Sequence, residues 1–199
     1  MDGNAKLKRL LKDLQIGIIG QTIGSAADIA EEFDKFATGR ASYPLLFSNG
    51  PPKVATTHIN QIVLSLGVLG FFIHAVDRLS FRQNSENLRE AIFDPTAIEL
   101  SKWFGESLGN THPELASTAK QDALSYLNAS GLQYSKASTL LGKIEDDKNS
   151  AVWMAACNIA SDLNHPNRQL LVLLIKVRLI EGLVELDLAN RVKALEAHL

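Results

Sequence analysis

The 199-residue chain is 46% hydrophobic and 21% charged, which excludes a disordered or low-complexity polymer and suits one domain with a sizeable core. A formal net charge of −2 and a pI near 6.2 offer no electrostatic basis for binding nucleic acid or other polyanions. The single cysteine, Cys157, excludes an internal disulfide and any multi-cysteine zinc site.

Met1 to Lys6 lead into a charged amphipathic stretch rather than an apolar one, so no signal peptide is expected and a cytoplasmic location is the default. The first helix is predicted over residues 4–38. Leu7, Leu10, Leu11, Leu14 and Ile18 recur at helical spacing, and Ile16, Ile19, Ile23, Ala26, Ala30, Phe33 and Ala37 continue in steps of three and four. Lys6, Lys8, Arg9 and Lys12 lack the aromatic interleaving of a nucleic-acid site and read as a solvated face. The glycines from Ile16 to Ser25 superficially suggest a dinucleotide-binding turn. The required positions hold Thr22 and Ser25, and Gly24 is out of register.

Gly39, Pro44, Asn49-Gly50 and Pro51-Pro52 mark a long irregular stretch whose Tyr43, Leu45, Leu46 and Phe47 should pack on the body. Val54 to Ile73 contains no Asp, Glu, Lys or Arg. A membrane span needs about 20 predominantly apolar residues. His58, Asn60 and Gln61 interrupt the run, so a buried helix is expected, capped by Thr56 or Thr57 and ending near Arg82. A short helix from Asn84 or Ser85 to Phe93 should follow, then one opened by Asp94-Pro95 and ending near Leu108. Thr111 and Glu114 suggest a capping box for a helix closed by Gly131. A short helix over 135–142 precedes one from Ser150 to Leu163, stopped by Asn164-His165-Pro166. The last helix should run from Pro166 or Asn167 to about Ala197 with a break, its Leu170–Ile175 opening apolar on every side. The expectation is a single all-α globular bundle of seven or eight helices over 1–199, divisible into a helical pair over 1–83 and a bundle over 84–199.

Two helix faces stand out. Gly17, Gly20 and Gly24 share an arc of the first helix that Asp28 continues. Gly67, Gly70, His74 and Asp77 share a face of the second, with Arg78 and Asn60 at its edge. An interior glycine costs about 1 kcal/mol relative to alanine, so these five ask for a reason. The simplest is a tight crossing of the two helices. The alternatives are a pocket wall into which His74, Asp77 and Asp28 project, and an interface with a second copy of the chain. No Glu-x-x-His or His-Glu-x-x-His is present, so no metal or other cofactor is expected. Cys157 lies in an apolar helical run and reads as structural; Gly-x-Ser-x-Gly is absent. Two functional classes follow: a self-associating interaction or regulatory module with a homo-oligomeric or protein partner, no nucleic acid and no membrane span, or a small-molecule binder or enzyme built on Gly67, Gly70, His74, Asp77, Arg78 and Asp28.

Overall fold

A computed structural model describes residues 3–38, 59–81, 88–115, 118–142 and 147–199. Among them the chain forms seven α-helices and no strand, an all-α bundle. Thr139 and Ser150 make one isolated parallel bridge. The expected apolar loop from Tyr43 to Pro52, and His58, lie outside the described residues.

Helix α1 (Gly3–Ala37) packs along α2 (Gln61–Phe81). The described helix opens at Gln61 rather than at the expected Thr56 or Thr57, because the Asn60 side chain accepts hydrogen bonds from the backbone N–H groups of Ile62 and Val63 at 3.1 and 3.2 Å. Among the described residues α2 is the one helix long and apolar enough to cross a membrane. In this fold 61% of its most apolar window is buried by the other helices.

The face of α1 that enters the core differs from the expected one. Leu14, Ile18, Thr22, Ser25, Ile29, Phe33 and Phe36 are buried in steps of four and three, while Ile16 and Ile23 are each 56% exposed. Rotating α1 to bury those two would turn Leu14, Ile18, Ile29, Phe33 and Phe36 outward. A fully buried large apolar side chain contributes roughly 1.5–3 kcal/mol, so five outweigh two, and Thr22 and Ser25 are carried into the core with them.

Arg89–Phe93 is a π-helical turn that runs without a break into α3 (Asp94–Thr111). Asp94 is therefore inside the helix, not the expected N-cap. Its N–H bonds the carbonyl of Arg89, five residues back, next to Pro95, which has no N–H to give. The Thr96 hydroxyl donates to the Ile92 carbonyl at 2.6 Å.

Helix α4 (Ala119–Tyr134) begins after Thr118 and continues past Gly131. Thr111 closes α3 rather than opening the next helix; its hydroxyl donates to the carbonyls of Ser107 and Leu108. Gly105 lets α3 cross α4 closely, since a Cβ there would stand 2.9 Å from the Lys120 backbone. Residues 135–142 form turns rather than a helix. Helix α5 (Ala151–Asp162) opens as expected, with the Ser150 hydroxyl accepting from Trp153 N–H at 3.2 Å. Helices α6 (Arg168–Glu185) and α7 (Leu188–Glu196) are separated at Asp187, which adopts φ 48°. Leu170, Leu171, Val172 and Ile175 are buried, but Leu173 is 45% exposed, so the opening of α6 is not enclosed on every side.

Candidate functional site

The expected crossing of two glycine faces does not occur. Gly20 and Gly24 are exposed, with nothing among the described residues within 4 Å of where a Cβ would lie. Gly17 admits Leu186 of the α6–α7 turn, Gly67 admits Ile159 of α5, and Gly70 lies against Leu127 and Ser130 of α4. The glycines of α2 thus allow close approach of α4 and α5, while α1 meets α2 on a different side. Asp28 is exposed and its carboxylate lies 3.6 Å from Arg178 on α6, so it joins no pocket with His74. Arg78 is spent on structure. Its guanidinium donates to the carbonyls of Tyr134 and Ala137 at 3.1 and 2.8 Å, tying α2 to the end of α4.

Two of the predicted residues do meet a cavity. His74 and Asp77 line a cleft of about 590 Å³ between α2, the π turn, α3 and α4. That volume lies within the range of roughly 300–1,000 Å³ usual for small-ligand pockets. Ile73, Phe93, Ala97, Leu124 and Leu127 give it apolar walls. Ile98 and Leu132, 57% and 73% exposed, flank it with further apolar surface. Polar groups converge from four elements. Arg89 of the π turn bonds the Asp77 carboxylate at 2.7 Å, and its guanidinium lies 5.1 Å from the centre of the Phe93 ring. Asp94, Asn128 and Ser135 complete the lining.

His74 is the most constrained of these side chains. It is 5% exposed and its ring stands edge-on to Tyr134 with centroids 5.1 Å apart. Its Nε2 is buried with no hydrogen-bond partner among the described residues. An unsatisfied buried polar atom costs about 1–3 kcal/mol, so this one asks for an explanation. Burial lowers the imidazole pKa from 6.5 to about 4; Asp77 opposes that shift, Arg78 assists it, and a hydrogen bond to the Tyr134 backbone opposes it. The ring is therefore neutral at neutral pH. A neutral imidazole carries one N–H and one lone pair, and in the tautomer protonated at Nδ1 the buried Nε2 is an acceptor.

Gly131 is the residue that sequence reasoning placed at a helix end and the structure places inside the helix, on the cleft wall. A Cβ there would meet nothing within 4 Å among the described residues. Neither backbone conformation nor packing requires glycine at this position, and what alanine would fill is the cleft.

A second hollow of about 360 Å³ lies between α4 and α5. Four of its polar side chains are engaged with one another. Tyr126 donates to Asp162 at 3.1 Å, and Asn158 donates to Gln133. Among the described residues no three His, Cys, Asp or Glu side chains come together as metal ligands do. Cys157 is half-buried and burial raises its pKa, against a smaller effect of Arg168. His112 stands 3.3 Å from Glu114. His165 accepts from Asn167 N–H at 3.1 Å and packs edge-on to Phe33.

Compared with known proteins, the chain matches no family model, and no curated protein or solved structure is significantly similar to it. The fold and the cleft therefore define it only as an all-α protein with an apolar, histidine-floored hollow.

Proposed function

We propose that the chain is a small-molecule-binding module. Its ligand has an apolar body and one hydrogen-bond donor, a hydroxyl or amide N–H, which reaches Nε2 of His74. The observation that carries this reading is that His74, whose buried Nε2 has no partner among the described residues, lines a cleft whose other walls are mainly apolar. Such a cleft rewards apolar area by about 25 cal/mol per Å² removed from water. A donor to Nε2 removes the penalty of the orphaned acceptor. The Asp77–Arg89 pair is already neutralised and sits toward the outside, which leaves the exposed Asp94 as the one formal charge on the rim without a counter-ion among the described residues.

Calorimetric titration with 1-octanol and with octyl methyl ether tests the proposal, because the ether keeps the chain and oxygen but cannot donate. Wild type should prefer the alcohol about fivefold or more, the equivalent of roughly 1 kcal/mol for one hydrogen bond. His74→Phe should bind the two alike. Equal binding of both probes by wild type, or no binding of either, refutes the proposal.

A further inference from the structure

We infer that the outward face of α1 is the interface of a two-fold homodimer, in which α1 lies antiparallel on the α1 of a second copy. The face comprises Arg9, Lys12, Ile16, Gly20, Ile23, Ala27, Glu31 and Asp34, and every one of these residues is exposed. Their spacing of 3, 4, 4, 3, 4, 4, 3 keeps them on one stripe of a helix with 3.6 residues per turn.

The order of side chains along the stripe is complementary to its own reversal. Placing a two-fold axis between Gln21 and Thr22 sets Arg9 opposite the second copy's Asp34 and Lys12 opposite its Glu31. The same operation sets Ile16 opposite Ala27 and Gly20 opposite Ile23. Charges thus meet opposite charges at both ends, and in the middle a large side chain faces a small one. A parallel arrangement would instead place Lys12 on Lys12 and Glu31 on Glu31. This is the self-complementarity that an isologous two-fold contact demands. It also gives Gly20 the close neighbour it lacks among the described residues, where a Cβ would meet nothing within 4 Å. Glu31 already pairs with Lys35 at 2.8 Å yet keeps 67% of its side chain exposed, so it can face a second cation.

The dimer rests on α1 alone and does not depend on the His74 cleft, which lies among α2, α3 and α4. Its test is sedimentation of the full chain over a concentration series, with circular dichroism to confirm that each variant stays helical. Wild type should sediment at twice the 21.7 kDa chain mass. Ile23→Lys should sediment as a monomer. Reversing Arg9 and Lys12 to glutamate should weaken association on the order of tenfold, from like charges facing each other at the rim. Adding Glu31→Lys and Asp34→Lys to that variant should restore association. In a Cys157→Ser background, Ile16→Cys with Ala27→Cys should cross-link between copies under oxidation. Ile16→Cys alone should not, since its two copies stand roughly 16 Å apart along the helices at 1.5 Å per residue. A monomeric wild type, a dimer indifferent to Ile23→Lys, or ready cross-linking of Ile16→Cys alone overturns the inference.

Discussion

Gly131→Ala should stabilise the protein, which is unusual for a substitution on the wall of a cavity. Gly131 lies inside α4, three residues before its last residue Tyr134, and has no positive φ. Alanine is favoured over glycine in a helix interior by up to about 1 kcal/mol. No opposing steric cost arises, because a Cβ at this position finds nothing within 4 Å. With a urea dependence of about 2 kcal/mol per molar, the midpoint of unfolding should rise by roughly 0.5 M at unchanged slope. The contrasting substitution is Gly105→Ala, whose Cβ would stand 2.9 Å from both N and Cα of Lys120. Backbone atoms cannot step aside as a flexible side chain can, so its midpoint should fall. Urea unfolding followed by circular dichroism at 222 nm resolves both shifts. A destabilised Gly131→Ala, or two glycines that respond alike, would refute the assignment of Gly131 to an open cleft wall.

Other expectations rest on single interactions. Arg78→Leu removes two charged hydrogen bonds to carbonyls at the end of α4 and should lower stability by about 2–3 kcal/mol in the same assay. Ser150→Ala deletes the cap of α5 and should cost about 1 kcal/mol. Asp28→Ala should change stability by less than about 0.5 kcal/mol, because its contact with Arg178 is exposed and solvent-screened. The His74 pKa of about 4 lies below the 6.5 of the unfolded chain, so between these values the unfolded state binds the proton and the folded state does not. The contribution of His74 is therefore complete above pH 6.5 and is lost as pH falls toward 4, by at most about 1.4 kcal/mol per pH unit. His74→Gln should flatten the unfolding free energy across that window relative to wild type, and equal slopes in the two proteins would contradict the buried neutral imidazole.

Local chemistry was legible where one residue decides. Ser150 announced α5 by a hydroxyl that accepts from the first turn. Asn164-His165-Pro166 ended it, whereas the sequence implies a break in the last helix without a position, which the structure sets at Asp187. The side of α1 that faces inward was not legible, because isoleucines lie on both faces and only the summed burial of Leu14, Ile18, Ile29, Phe33 and Phe36 selects one. His74 and Asp77 were recognisable as neighbours one turn apart on α2. Their partners Arg89, Asn128 and Gly131 come from other elements, and their convergence depends on how those elements cross. The π turn beside the cleft left one trace, Pro95, whose missing N–H signals a disturbed hydrogen-bond ladder. The glycine of α4 misled because a helix-ending glycine and a cleft-wall glycine are the same letter, and only the empty space at its Cβ tells them apart.

The most direct measurement is ¹⁵N NMR of the imidazole nitrogens, with the histidines labelled and 1-octanol added stepwise at pH 7. A hydroxyl arriving at the buried ring should move the Nε2 resonance of His74 in proportion to occupancy, while those of His112, His165 and His198 stay in place. An unmoved His74 at saturating alcohol, or a shift shared by all the rings, would contradict the assignment of this nitrogen as the ligand's acceptor.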